Sequence, residues 1–211
     1  MALVLFGADG GTLMLPDRAS LLVSRENGGN LVVDPPRPVW ERSELAPVEL
    51  TQFAFLVSAA GRAMIDVLPQ LSGGCVNYWE AGNWALNDDA EPRGRKDARL
   101  HRRMHLHLLG RSPEALDPAW AWGESPRFPT FAESHSWAAR FQRLTAAECY
   151  DVVGRTEELL KTKYGVPAGQ IASWSRCDTC GYPSPAARGD SAHACAECRS
   201  RAGVESSLGT T

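Results

Sequence analysis

Two Cys-x-x-Cys pairs near the C-terminal end constrain this 211-residue chain more than any other feature. The first pair is Cys177 and Cys180, and the second is Cys195 and Cys198. Four thiolates satisfy the tetrahedral geometry that Zn²⁺ prefers, and Gly181 after the first pair allows the tight turn that two neighbouring ligands require. We therefore expect these cysteines to form a structural zinc site, with an all-thiolate iron–sulfur centre as the alternative.

The segment around these cysteines, residues 174–201, resembles a zinc ribbon. It has too few residues to form a core, so a bound metal would supply its folding energy. Zinc ribbons often bind nucleic acid or protein, but three acidic and three basic side chains between 177 and 201 argue against a nucleic-acid surface. We expect the unit to cap the preceding domain, with His193 as a loop residue and 202–211 as a flexible tail.

Short apolar runs separated by turn residues predict antiparallel strands in the first 35 residues. One pair is expected at Ala2–Phe6 and Thr12–Leu15, across an Ala-Asp-Gly-Gly turn. A second pair is expected at Ser20–Ser24 and Asn30–Val33, across another glycine-containing turn.

Helical periodicity predicts two main helices, at 47–67 and Ala146–Tyr164. Two further strands are predicted, at Cys75–Trp79 and Met104–Leu109. Residues 111–143 show no period and are interpreted as a long ordered loop that covers another part of the protein. Together these elements predict an α+β fold over residues 1–168, with an antiparallel sheet and two main helices.

The strand at 104–109 alternates between apolar and basic side chains. Its apolar face consists of Met104, Leu106 and Leu108, and its basic face of Arg103, His105 and His107. A neutral imidazole can attack phosphorus and form a covalent phosphoramidate, while a second imidazole orients it or carries a proton. The alternative interpretation is a polar strand face in contact with solvent.

The residues from Met104 to Arg111 resemble the motif of the histidine-triad (HIT) superfamily, in which histidines alternate with apolar residues on one strand. Aligned on Arg111, His105 takes the central position and His107 the third. Three more segments resemble the family's proline-ended strand, helix start and asparagine–glycine segment: 30–37, 43–50 and 77–82.

The HIT resemblance implies that His105 is a nucleophile toward the α-phosphate of a nucleotide or nucleotide conjugate. It also implies hydrolysis or transfer of a nucleotidyl group, no metal in the chemical step, and a homodimer. Arg103 departs from the family because it replaces the first histidine. Two alternatives follow: His101, two residues earlier, substitutes for that histidine, or Arg103 binds phosphate directly.

The segment before the predicted strand, residues 93–103, is strongly basic and leads into His105. Arginine binds phosphate with two parallel hydrogen bonds, so Arg102 and Arg103 are candidate phosphate ligands. Asn77 and Arg111, placed by the resemblance, complete the candidate nucleotide-binding set. The alternative is an ordinary solvated loop.

The remaining composition limits the function only broadly. A net charge of −3 gives no general attraction for nucleic acid or anionic membranes. The N-terminus lacks the pattern of a signal peptide, no membrane span is expected, and we expect a cytoplasmic protein. The main hypothesis is a nucleotide hydrolase or nucleotidyl transferase. The alternatives are a non-catalytic nucleotide-binding module whose zinc unit docks a partner, and an enzyme that removes nucleotides from nucleic-acid ends.

Overall fold

The computed structural model describes residues 2–186 and 194–200. Its main feature is a five-stranded antiparallel sheet with the strand order β1-β2-β3-β5-β4. The strands are β1 (Leu3–Ala8), β2 (Gly11–Leu15), β3 (Asn30–Asp34), β4 (Cys75–Ala81) and β5 (His105–Arg111). The predicted α+β class with an antiparallel sheet is confirmed. The predictions for His193 and for the tail at 202–211 lie outside the described residues.

Two long helices cover one face of this sheet. They are α1 (Pro47–Val67) and α4 (Ala146–Thr162), and α4 begins with a capping box between Thr145 and Glu148. Both helices bury apolar side chains against the sheet face that carries Leu106 and Leu108, and this is the main core. By length and hydropathy α1 could cross a membrane, but the contacts of its buried face are those of a core helix.

The opposite face of the sheet is partly covered by a smaller apolar cluster. Residues 112–133 form most of this cover as a long ordered loop, as predicted, but the prediction of a loop through residue 143 missed the short helix α3 (Ser134–Ala139). Trp120 from the loop is fully buried there with Leu22 and Leu109. The sheet therefore has a deep core on one side and a thinner cover on the other.

The strand predicted at Ser20–Ser24 is wrong. Short 3-10 turns occupy Arg18–Ser20 and Arg25–Asn27, and the residues between them are irregular. Leu22 is buried in the smaller cluster. Its backbone N–H donates a hydrogen bond to the side chain of Asn30, whereas a strand residue would bond to the backbone of a neighbouring strand. An apolar run can be buried by a loop that packs on a sheet, so hydrophobicity alone did not distinguish the two structures.

A second short helix, α2 (Ala98–His101), lies in the basic segment and ends before β5 begins. Asp97 caps it by accepting a hydrogen bond from the backbone N–H of Arg99. His101 is therefore a helical residue and not an extension of the β5 face.

The segment with the cysteines contains the small hairpin β6 (Trp174–Arg176) and β7 (Pro183–Pro185). The hairpin packs on the main domain near β1, and the chain entering it bonds to the turn after β1, where the N–H of Asp9 donates to Gln170. Cys177 and Cys195 are buried in the main core. The cysteine segment thus shares one core with the sheet domain.

Candidate active site

A cavity of about 620 Å³ opens on the partly covered face of the sheet. Its floor is the face of β5 and β3 that carries His105, His107 and Val32. Trp79 and Trp84 contribute aromatic walls. The cavity combines a mostly apolar lining with a few polar groups, which is the usual composition of a small-molecule site.

His105 and His107 lie side by side in this cavity as the alternation of β5 predicts. Their Nε2 atoms are 3.2 Å apart, and Nδ1 of His105 lies 3.0 Å from the backbone carbonyl oxygen of Arg103. His107 is buried, whereas His105 is partly exposed. One imidazole is thus accessible to a substrate, and the other supports it from below.

Asn30 completes this polar row and was missed by the sequence analysis. It is buried at the start of β3, and its Nδ2 lies 3.4 Å from Nδ1 of His107. Its only sequence signal is a polar residue at the beginning of an apolar strand, which is indistinguishable from a strand boundary.

Burial strongly affects the protonation of His107. Removal of its ring from water, and to a smaller extent the neighbouring charge of His105, lower the pKa of His107 to about 3. The ring is therefore neutral at physiological pH, with one N–H donor and one acceptor nitrogen.

Asp34 places a carboxylate in the same cavity and was also missed. β3 and β5 pair Val32 with His107 and Val33 with Leu106, so the next position of this register brings Asp34 opposite His105. Burial raises the pKa of Asp34, and the electrostatic interaction with His105 partly offsets that rise. In the sequence, Asp34 is indistinguishable from any polar residue at the end of a strand.

Arg103 and His101, the two candidates for the first triad position, both line the cavity. Arg103 is exposed, and its guanidinium donates to the carbonyl oxygen of Arg102. Among the described residues, neither side chain hydrogen-bonds to His105 or His107. The imidazole row consequently contains two histidines, with an exposed cationic side chain at its open end.

Arg102, a candidate phosphate ligand, is held away from the cavity. Its guanidinium bonds to the carbonyl oxygen of Trp40 and to Asn83, and it forms ion pairs with Glu41 and Glu80. These contacts tie the basic segment to the loop after β3 and to β4, so the charge of Arg102 is already neutralised.

Arg111 and Asn77 also lie outside the cavity lining. Arg111 is buried, and its guanidinium donates to the carbonyl oxygens of Ala121 and Glu124, which fastens the covering loop to the end of β5. Asn77 pairs with Leu109 near the same end of the sheet, two positions from Trp79. Of the seven sequence-predicted cavity residues, the structure brings together the four listed here: His101, Arg103, His105 and His107.

No protein-family profile matches this chain, and a comparison with characterised proteins finds no significant match. Its candidate functions therefore depend on the arrangement of its own side chains.

The four predicted metal ligands form a second candidate site. The Sγ atoms of Cys177, Cys180, Cys195 and Cys198 all lie within 4.8 Å of one another, and those of Cys180 and Cys195 are 3.7 Å apart. Tetrahedral zinc with Zn–S bonds of about 2.3 Å requires sulfur–sulfur separations of about 3.8 Å. This cluster could hold a metal ion, and its size is consistent with zinc.

Backbone geometry around Cys177 favours the thiolate that a metal requires. Burial alone would raise the pKa of Cys177, but backbone N–H groups of Cys195, Cys180 and Thr179 donate to its sulfur and lower that pKa to about 6. Burial and the neighbouring thiols raise the pKa of Cys180 to about 11. Four crowded thiols of this kind lose their protons most readily when a cation is present.

Proposed function

We propose that this chain is a HIT-like nucleotide hydrolase or nucleotidyl transferase that acts through a covalent nucleotidyl-histidine on His105. The observation that carries the proposal is a partly exposed imidazole in a 620 Å³ cavity, supported by a buried neutral imidazole 3.2 Å away. The antiparallel sheet with its helices on one face is compatible with the HIT-like fold that the motif resemblance implies.

The cavity offers suitable surroundings for a nucleotide. Trp79 and Trp84 provide flat apolar surfaces for a base, and Arg103 at the open end provides an exposed guanidinium for phosphate oxygens. The α-phosphorus would then lie above His105. This polarity also explains why one wall is aromatic and the other cationic.

The first chemical step joins Nε2 of His105 to the α-phosphorus. As the P–N bond forms, the bond from phosphorus to the leaving-group oxygen breaks, and its electron pair departs with that oxygen. The imidazole then carries a positive charge, because Nδ1 keeps its hydrogen. The Arg103 carbonyl oxygen 3.0 Å from Nδ1 and the carboxylate of Asp34 stabilise that charge.

The second step releases the nucleotide. The oxygen of water, or of an acceptor hydroxyl in a transferase, attacks phosphorus and loses its proton, and the electrons of the P–N bond return to Nε2 of His105. This restores the neutral imidazole. Asp34, opposite His105, is placed to accept the proton from the attacking oxygen.

We further propose that the four cysteines bind a structural zinc ion. Zinc would hold together the two ends of the cysteine segment, which contribute Cys177 and Cys195 to the main core. This site faces away from the imidazole row, since none of its ligands lines the cavity. Its role would be to stabilise the fold, without participating in the reaction.

The decisive experiment is intact-protein mass spectrometry after acid-free quenching of a reaction with a panel of nucleotides and dinucleotides. A transient mass increase equal to one nucleotidyl group, absent from His105→Asn, would support covalent catalysis. The exposed histidine variant His135→Asn is a matched control and should still form the adduct. Turnover that persists in His105→Asn would refute the proposal.

A second candidate function is favoured by one observation. Arg103 stands at the first triad position, and His101 does not reach the imidazole pair. A non-catalytic nucleotide-binding module with a partner-docking zinc segment would have this incomplete row. Tight nucleotide binding without adduct or turnover would support that function in place of catalysis.

A further inference from the structure

We infer that Asn30 is a positioning residue whose amide fixes the tautomer of His107, so that the Nε2–H of His107 points at the Nε2 electron pair of His105. The tautomer itself is independent of the reaction, whereas its catalytic consequence rests on the proposed function. Three hydrogen bonds in a row carry the inference, from Asn30 through both imidazoles to the carbonyl oxygen of Arg103.

The orientation of the Asn30 amide is set by backbone groups alone. Its Oδ1 accepts a hydrogen bond from the N–H of Leu22 at 3.2 Å, and its Nδ2 donates to the carbonyl oxygen of Leu31 at 2.9 Å. The second hydrogen of Nδ2 is shared between the carbonyl oxygen of Leu108 at 3.5 Å and Nδ1 of His107 at 3.4 Å. A flipped amide would place its NH₂ group against the N–H of Leu22 and its oxygen against the carbonyl oxygen of Leu31. The group that faces His107 is therefore the NH₂ donor.

This donor determines which nitrogen of His107 carries the hydrogen. A neutral imidazole has one N–H and one electron pair. Since Nδ1 of His107 faces a donor, it must be the acceptor, and the hydrogen lies on Nε2. His107 is held in this neutral form by its burial, which lowers its pKa to about 3.

The other end of the row requires the same arrangement independently. The carbonyl oxygen of Arg103 can only accept, so Nδ1 of His105, 3.0 Å away, carries the hydrogen. Nε2 of His105 then carries the electron pair and requires a hydrogen-bond donor. The only donor the row provides is the Nε2–H of His107 at 3.2 Å.

This arrangement has a direct use in nucleotidyl transfer. The electron pair of the nucleophile is already on Nε2, the nitrogen that bonds to phosphorus, so attack breaks the hydrogen bond from His107 but no proton has to leave His105. When Nε2 of His105 bonds to phosphorus, the Nε2–H of His107 loses its acceptor. A phosphoryl oxygen bound at that phosphorus becomes the nearest replacement, which makes His107 a preorganised donor for the transition state.

The titratable groups near His107 are few. His105 faces it on β5, Trp79 and Val32 flank it on β4 and β3, and the aromatic ring of Phe128 packs on Trp79 from the covering loop. Asp34 lies two positions along β3, opposite His105. Asn30 is thus the neutral group that decides the tautomer, and no charged partner competes at Nδ1 among the described residues.

The test is ¹⁵N NMR of the imidazole rings in the nucleotide-free protein at pH 7. We expect His107 to carry hydrogen on Nε2 and an electron pair on Nδ1, and His105 the reverse. The substitution Asn30→Asp keeps the Oδ1 acceptor for Leu22 but replaces the donor with a carboxylate. At a pH at which the ¹³C chemical shift shows that the introduced carboxyl group is ionised, we expect this variant to carry a proton on Nδ1 of His107.

The same exchange at the other buried asparagine of the loop face, Asn27→Asp, is the matched control and should leave both rings unchanged. In Asn30→Asp we expect kcat to fall by about 10- to 100-fold, as is typical when an orienting partner is lost. A proton on Nδ1 of wild-type His107, or unchanged ring shifts in Asn30→Asp, would overturn the inference. Because these shifts are read without substrate, they stand even if the adduct experiment on His105 fails.

Discussion

His107 pairs with Trp79 across β5 and β4, and the centroids of their rings lie 5.5 Å apart. Trp79 in turn packs on Phe128 of the covering loop, with ring centroids 4.4 Å apart. These aromatic layers remove His107 from water, although the alternation of the strand would otherwise expose it. His107 is therefore covered by Trp79 from the neighbouring strand β4, and Phe128 of the covering loop packs on that tryptophan.

The first prediction concerns stability in acid. His107 has a pKa of about 3 in the folded protein, against about 6.5 in an unfolded chain, so between these values the unfolded state binds a proton that the folded state does not. Stability is therefore lost as the pH falls from 6.5 toward 3. We expect His107 to account for a loss of about 2 kcal/mol in unfolding free energy between pH 6.5 and pH 5.

Urea denaturation of the wild type and of His107→Gln at several pH values checks this. As the pH falls, the unfolding free energy of the wild type should decrease more than that of the variant. A constant difference between pH 7 and pH 5 would contradict the burial of a neutral imidazole at this position.

The strand with the histidines could be predicted because its alternation matches the sheet. Leu106 and Leu108 had to face a core, so His105 and His107 had to face the other way. The periodicity of Ala146–Thr162 was equally informative, since one side of that helix is apolar and the other is charged. Patterns of this kind can be predicted from the sequence because they result from the burial of one face of a strand or helix.

The other polar groups of the candidate site could not be recognised from the sequence. Asn30 and Asp34 stand at the two ends of β3, where polar residues are common for purely local reasons. Arg102 and Arg111 are residue types that bind phosphate, but their guanidinium groups bond to carboxylates and to carbonyl oxygens of the covering loop. Only the packing of separate segments distinguishes a structural arginine from a ligand.

Asp34 gives a second prediction, because its carboxylate is held in a half-buried site. Burial raises the pKa of Asp34 above its value in the unfolded chain. At pH values between these two pKa values the folded state binds more protons than the unfolded state, so the free energy of unfolding falls as the pH rises through this range. The substitution Asp34→Asn removes that cost. We expect a higher Tm at pH 7 and a turnover about tenfold lower, the factor that corresponds to 1.4 kcal/mol of lost charge stabilisation.

Calorimetry and turnover measurements on the same preparation check both parts. The exchange Asp89→Asn, at an exposed loop carboxylate, controls for the loss of one negative charge. A lower Tm in Asp34→Asn, together with full turnover, would show that the carboxylate is structural and outside the reaction.

A third prediction separates two neighbouring arginines. Arg103 is exposed at the cavity, so Arg103→Met should leave Tm nearly unchanged and raise KM by about tenfold or more, as expected for one lost charge-assisted hydrogen bond to phosphate. Arg102 is buried among Glu41, Glu80 and Trp40. Arg102→Met should lower the unfolding free energy by about 3 kcal/mol, because it leaves acidic groups without their partner.

Thermal unfolding and steady-state kinetics on both variants check the contrast. Each variant serves as the control for the other, since both lose the same charge at adjacent positions. A large loss of stability in Arg103→Met with unchanged KM would contradict the assignment of the cavity to phosphate binding.

The last prediction tests the cysteine cluster as a metal site. We expect one zinc ion per chain by elemental analysis, and a fall in Tm of about 10 °C or more after chelation, because the metal ties two separate segments into the main core. Cys195→Ser should abolish the stoichiometric zinc and lower Tm similarly. Cys75→Ser, at an exposed thiol outside the cluster, should retain both. Iron in place of zinc would redirect the assignment to an all-thiolate iron centre, and a metal-free protein with unchanged Tm after Cys195→Ser would show that packing alone holds the segment in place.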